Sequence, residues 1–224
     1  HYQNGLNGLG YEITPPANQA PVANAGGPYT VVEGPGWYTP ARIALDGSSS
    51  FDPDAGSGDS IVSYGWDLDD DGVFDDASGP QPLWSYDDNG IYPIVLQVTD
   101  TYGATGTATT TATVNNVAPT ATFDVPGSVV AGDDIVLGLS GPYDPSPADT
   151  AAGFEYAFDC GDSSGLSEFT TTAATTCVTT NPGTRTVEGR IRDKDGDTTT
   201  YTATVEVTTP NRAPVLTGPG AQSD

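Results

Sequence analysis

An all-β fold, built as sandwiches in tandem, is what this sequence predicts, and three observations predict it. Short stretches with a hydrophobic period of two recur at regular intervals, with no helical pattern between them. Thr is abundant, and 28 Gly and 19 Pro supply turns. The marker Asn-x-Ala-Pro occurs at Asn18, Asn116 and Asn211, 98 and 95 residues apart, and each interval is the size of one immunoglobulin-type sandwich. The units therefore span 18–115 and 116–210, and a third begins at 211 and is cut short at 224. Residues 1–17 fit neither unit. They read as the tail of a preceding domain or as a strand added to a neighbouring subunit's sheet edge.

The strands follow in order between turn residues. In the first unit they are Arg42–Asp46, Ile61–Asp67, Gln81–Tyr86, Gly90–Asp100 and Ala104–Val114. Tyr92, Ile94, Leu96 and Val98 alternate with Ile91, Pro93, Val95 and Gln97, which predicts one buried face. Thr107–Thr113 suits a half-exposed surface. Trp66 holds the position of the central-strand aromatic that packs between sheets. In the second unit the strands are Thr120–Val125, Asp134–Leu139, Phe154–Phe158, Thr184–Arg192 and Thr198–Thr208.

Composition excludes several functions. Thirty acids face six bases, for a formal net charge of −24, so no basic face exists for nucleic acid or an anionic membrane. No apolar run is long enough to span a bilayer, and no signal sequence is seen. With no Met at position 1, the chain reads as a mature protein or an excised piece. Its single histidine is His1, which removes a Ser-His-Asp triad, a Cys-His dyad and a His-rich zinc site. A copper brace at His1 lacks its second histidine. No carboxylate pair is marked as catalytic, so the chain is not expected to be an enzyme.

At this point the residues carry a family likeness. The run Ser63-Tyr64-Gly65-Trp66-Asp67-Leu68-Asp69-Asp70-Asp71-Gly72, then Gly90-Ile91-Tyr92 leading to Leu96-Gln97-Val98-Thr99-Asp100, resembles the PKD (polycystic kidney disease) domain family. The Asn-x-Ala-Pro opening and Ser50-Phe51-Asp52-Pro53-Asp54 fit the same pattern. The second unit departs from it, with Phe158 for Trp66, Arg185 for Tyr92 and Gly189 for Leu96. The resemblance implies extracellular or cell-surface β-sandwich modules that act as spacers or binding modules.

Two cysteines, Cys160 and Cys177, stand 17 residues apart in the second unit. In an acidic, Lys-poor chain of this likeness they read as a disulfide, worth about 3 kcal/mol in the loop-entropy model. The alternative is a pair of buried thiols.

Asp outnumbers Glu, 24 to 6, which suits either hard-cation binding or turn chemistry. Asp67, Asp69 and Asp71 with Gly72 form Asp-x-Asp-x-Asp-Gly, the first half of an EF-hand-type calcium loop. The twelfth position is Ser78, so Asp75 or Asp76 must close the shell, with the Val73 carbonyl contributing. Six carboxylates within ten residues repel one another unless a cation sits among them or water screens the turn. The counterpart loop at Asp159–Gly165 has too few carboxylates for a tight site. A second candidate site is implied by the resemblance, since PKD-like domains of secreted collagenases hold calcium with an Asn, an Asp-x-Asp pair and the Asp that ends Val-Thr-Asp. Carried over, these are Asn18, Asp52, Asp54 and Asp100 at the linker end of unit one. The matching residues in unit two are Asn116, Asp144, Asp149 and Asp193, where Asp-Pro-Ser-Pro-Ala-Asp breaks the spacing.

Two classes of function remain. One is a surface spacer or adhesive rod of repeated sandwiches, stiffened by calcium and partnered by its own neighbouring repeats or by other subunits. In that case carboxylates of Asp67–Asp76, Tyr86–Gly90 and unit two's pole crowd the short Asn115–Pro119 linker. The other is an accessory module of a secreted hydrolase, which recognises a polysaccharide or protein fibre through Trp37-Tyr38 and through Trp84 with Tyr86. Such aromatics also serve as core or turn residues.

Overall fold

The longest strands form where the period-two pattern is strongest. The computed structural model describes residues 17–35, 37–38 and 41–211, in two compact units, His1–Asn116 and Val117–Asp224. The expected N-terminal segment, apart from Ala17, and the expected third repeat, apart from Asn211, lie outside the described residues.

The first unit contains β1 (Tyr29–Val32), β2 (Ile43–Ala44), β3 (Ile61–Asp67), β4 (Ala77–Ser78), β5 (Leu83–Trp84), β6 (Gly90–Asp100) and β7 (Thr105–Asn115). One sheet runs β1-β7-β6-β3-β4, and β2 pairs with β5 in the other. As the alternation requires, β6 buries Ile94, Leu96 and Val98 completely, and Ile91 faces water. Trp66 lies opposite Leu96 and is fully buried, its indole N–H donating to the Gly79 carbonyl at 2.9 Å. Ile43, Leu45, Leu68, Ala112 and Val114 complete that core. β1 joins β7 in parallel, from Tyr29 opposite Ala112 to Val32 opposite Asn115.

The second unit contains β8 (Thr120–Asp124), β9 (Ser128–Val130), β10 (Ile135–Tyr143), α1 (Pro147–Ala152), β11 (Glu155–Asp159), β12 (Ala174–Cys177), β13 (Gly183–Arg192) and β14 (Thr198–Thr208). Its sheets run β11-β13-β14-β9 and β12-β10-β8, and β9 joins β14 in parallel as β1 joins β7. Phe158 sits opposite Gly189, where unit one sets Trp66 against Leu96. A Cβ on Gly189 would come within 2.7 Å of the Phe123 ring. Phe123 of the facing sheet therefore fills the volume that Leu96 fills in unit one. The Cys160–Cys177 disulfide is formed, with 5.5 Å between Cα atoms. Cys160 follows β11 and Cys177 ends β12, so the bond ties one sheet to the other.

The fold is all-β as expected, with one short helix, α1, that the strand pattern does not include. Ser146 caps it by accepting the Asp149 N–H at 3.2 Å, and Pro147 opens it with its φ already set. Arg42–Asp46 and Gln81–Tyr86 shorten to two-residue strands. Their pairing continues past the ladder only as single bonds, Leu45 N–H to Pro82 O at 3.0 Å and Gly47 N–H to Pro80 O at 2.7 Å.

Candidate metal centre

The chain before β1 is laid directly on β7. A Cβ on Gly106 would fall 1.9 Å from the Pro21 carbonyl oxygen, so only glycine admits this approach. Val22 and Phe51 exchange backbone hydrogen bonds at 2.8 and 3.0 Å, which fixes the 18–23 segment beside the Asp52 turn. Asn18 is thereby brought to Asp100, its side-chain amide donating to Oδ2 at 2.9 Å. The Gln19 N–H donates to Asp54 Oδ2 at 3.1 Å, and the Asp54 N–H to Asp52 Oδ1 at 3.0 Å. Asp100 Oδ1 accepts the N–H groups of Tyr102 and Ala104 at 2.9 and 2.8 Å. Burial acts to raise the Asp100 pKa, but the Asn18 amide and the turn N–H groups outweigh it and hold the carboxyl below its ordinary value.

Asp59 joins this pole, and the sequence motifs did not include it. It is buried, and its Oδ1 accepts the N–H groups of Ser60 at 2.7 Å and Thr101 at 3.2 Å. One carboxylate oxygen from each of Asp52, Asp54 and Asp59 lies within 4.8 Å of the other two. Asp52 Oδ2, Asp54 Oδ1 and Asp59 Oδ2 are buried there with no hydrogen-bond partner. The contact with Asp54 and then burial raise the Asp52 pKa, while the Asp52 contact and the Gln19 N–H lower that of Asp54. Three converging carboxylates with unpaired buried oxygens form a hard-cation donor set of the kind that oxygen-ligated calcium uses.

The Asp67–Asp76 loop is organised by its own backbone. Asp67 accepts the N–H groups of Asp70 and Gly72, Asp69 that of Asp71, and Asp71 that of Val73, at 2.7–3.2 Å. Oxygens of Asp67, Asp69 and Asp71 approach within 4.8 Å of one another. Asp76 turns inward and accepts from the N–H groups of Leu68 and Asp69, at 2.6 and 3.1 Å. Asp75 is exposed and stands outside the group. Burial is the main cause that raises the Asp69 pKa, and Asp71, Asp76 and Asp67 add to it.

In the second unit, Asp193 Oδ1 accepts three N–H groups, from Asp195, Gly196 and Asp197, at 2.7–2.9 Å. Asp144 Oδ1 accepts the Ser146 N–H at 2.7 Å, and its Oδ2 is buried without a hydrogen-bond partner. Burial pushes the Asp144 carboxyl up to about 6, with Asp149 and Asp193 adding repulsion. Asp149 is fully buried on the first turn of α1, with its Oδ1 3.1 Å from Lys194 Nζ. Asn116 belongs to the first compact unit, so the second unit's own set is Asp144, Asp149 and Asp193.

Residues 18–114 match the PKD domain family. The PKD1 domain of Vibrio anguillarum Epp is 34% identical, and the match covers 44% of this chain and 98% of that one with a TM-score of 0.33. This chain belongs to the PKD domain family. Fibronectin(III)-like modules of Clostridium thermocellum CbhA are similar at 12% identity over 84% of this chain and 95% of that one, with a TM-score of 0.32. The insect immune protein hemolin is similar at 12% identity over 89% of this chain and 49% of that one, with a TM-score of 0.44.

Within the PKD domain, the aromatics divide between core and surface. Tyr86 is buried and stacks on Tyr92 with ring centroids 3.9 Å apart, and half-buried Trp84 packs on the same core. Trp37 is 70% exposed and meets Tyr38 edge-on. Leu68, Trp84, Tyr86 and Tyr92, with Arg42 and Asp87, line a cleft of about 730 Å³. No helix among the described residues is long and apolar enough to cross a membrane.

Proposed function

We propose that this chain is a non-catalytic extracellular spacer or adhesive module of a surface or filament protein, and that calcium sets the point where the chain joins its PKD domain. The observation that carries this reading is the convergence of Asp52, Asp54 and Asp59 with buried, unpartnered oxygens. Asp52, Asp54 and Asp59 would hold the ion, with Asn18 and Asp100 at the same pole. Because Asn18 and Gln19 hydrogen-bond to Asp100 and Asp54, a cation on those carboxylates also fixes the incoming backbone. Asp67, Asp69 and Asp71 offer a second calcium position in the same domain. The test is a calcium titration of the full chain, followed by terbium luminescence and by small-angle scattering against a chelator. Saturable binding that Asp52→Asn and Asp59→Asn each weaken at least tenfold supports the pole site. Unchanged affinity in both variants overturns it, and scattering profiles that coincide with and without calcium overturn the stiffening.

The exposed Trp37 and the aromatic cleft favour a second reading, an accessory module that recognises polysaccharide or protein fibre. Pull-down on insoluble chitin, cellulose and collagen, with Trp37→Ala as control, separates it from the spacer reading.

A further inference from the structure

We infer that the acidic pole of the second unit carries its own cation: the Lys194 ammonium stands where a diffusible divalent ion would otherwise sit, which makes this pole independent of metal. The inference starts from two turns that fold alike. Asp100-Thr101-Tyr102-Gly103-Ala104 follows β6, and Asp193-Lys194-Asp195-Gly196-Asp197 follows β13. In each, the first residue's N–H donates to the fifth residue's carbonyl, at 3.0 and 3.2 Å. In each, the leading Asp Oδ1 accepts the third and fifth N–H groups, at 2.8–2.9 Å. Gly103 and Gly196 take the same left-handed conformation, with φ of 88° and 99°. Positions 101 and 194 are therefore structurally equivalent.

What occupies those positions differs in charge. Thr101 divides its N–H between the Ser60 carbonyl at 3.0 Å and Asp59 Oδ1 at 3.2 Å, and its hydroxyl also donates to the Ser60 carbonyl. Lys194 extends to the fully buried Asp149 at 3.1 Å and also contacts Asp195. Oxygens of Asp144 and Asp149 lie within 4.8 Å of each other, both residues are more than nine-tenths buried, and Asp144 Oδ2 has no hydrogen-bond partner. Two carboxylates this close and this dry require a positive charge beside them. Lys194 supplies it from within the unit. The PKD domain has no such residue in its matching turn, and Arg42, the one Lys or Arg in residues 1–116, lines the aromatic cleft instead. Removing the Lys194 charge should therefore uncover a divalent-cation site at Asp144 and Asp149. The inference is independent of the calcium reading of the first unit.

The test is a calcium titration of the full ¹⁵N-labelled chain, with the amides of residues 146–149 and 193–197 as readout. In the wild type and in Lys194→Arg these amides should show no saturable shift. In Lys194→Thr they should saturate, with Kd near the ~10⁻⁴–10⁻³ M of extracellular calcium modules. Adding Asp149→Asn to Lys194→Thr should abolish that response. Saturable shifts at these amides in the wild type overturn the inference, as does a folded Lys194→Thr that stays silent. If Lys194→Thr unfolds in chelator, refolding on calcium supports the inference, and failure to refold at saturating calcium overturns it.

Discussion

In the first unit Asp52, Asp54 and Asp59 converge beside Thr101, whereas in the second Asp144 and Asp149 converge beside Lys194. A parallel difference runs through the cores. The first unit fills its centre with Trp66 against Leu96. The second sets Phe158 against Gly189, brings in Phe123 from the facing sheet and closes the sheets with a disulfide. One unit is completed by a large indole and, in our proposal, by a soluble ion. The other draws both its covalent tie and its counter-charge from its own sequence. The strand order that the units share, β1-β7-β6-β3 in one and β9-β14-β13-β11 in the other, thus supports two ways of completing a core and an acidic pole, and they should respond to different solution conditions.

The largest expected effect is redox. Cys160→Ser with Cys177→Ser should destabilise the second unit by about 3 kcal/mol, the loop-entropy value for a 17-residue separation. Calorimetry of the full chain should show one transition falling and the other unmoved. Equal falls in both would break the comparison.

Calcium should act the other way round. At a hundredfold excess over Kd it adds about 2.7 kcal/mol to a unit that binds it only when folded, and that gain should fall on the PKD domain alone. Asp59→Asn should remove most of the gain at the pole while leaving stability in chelator equal or higher, because it deletes a buried, unpaired charge. A calcium gain that survives Asp59→Asn would restrict the ion to the Asp67–Asp71 loop.

Gly189→Leu sharpens the contrast between the cores. The added side chain meets the Phe123 ring, and overpacking of this kind costs about 1–3 kcal/mol. Combined with Phe123→Ala, the substitution should cost less than the two single changes summed, because the introduced leucine then takes the volume that Phe123 vacates. Strict additivity in a denaturant titration would show that Phe123 is not the compensating residue.

A last contrast lies in pH dependence, where the two poles should differ in sign. Asp100 is held below its ordinary 3.8, so its contribution is present above that value and is lost as pH falls through the folded value. Asp144 is raised from 3.8 to about 6, so between those values the folded chain holds more protons than the unfolded one. Its contribution therefore falls as pH rises from about 4 to 6. Urea midpoints in chelator should show Asp144→Asn flattening the 4-to-6 window and Asp100→Asn flattening only the acid limb below it. Identical profiles for the two variants would refute the contrast.

Most strands with strong alternation were legible. Ile61–Asp67, Gly90–Asp100 and Thr198–Thr208 form at the bounds their sequences predict, because one face must be apolar and the other need not be. The strands β1, β4, β9 and β12 were not, since at two to four residues they are too short to display a period and exist only through partners such as β7 and β14. The helix α1 left a signal that passed for irregular spacing: Ser146-Pro147-Ala148-Asp149 is a cap followed by an acid in the first turn. Asp59 left none. It meets the Asp100 turn through the pairing of Ser60 and Asp59 with Thr101, 41 and 42 positions away, and no local pattern encodes that contact.

The parallel pairing of β1 with β7 has a consequence for load. In the first unit the leading strand β1 lies beside the closing strand β7 and points the same way, whereas in the second the leading strand β8 pairs antiparallel with β10 and it is the next strand, β9, that runs parallel to β14. A pull on the two ends of the first unit therefore drags β1 and β7 past each other along their length. In that direction their hydrogen bonds are sheared together, whereas an antiparallel pair pulled from one end opens bond by bond. Resistance to force in the first unit then resides in the few residues Tyr29–Val32 and is governed by the rate of unfolding, not by equilibrium stability.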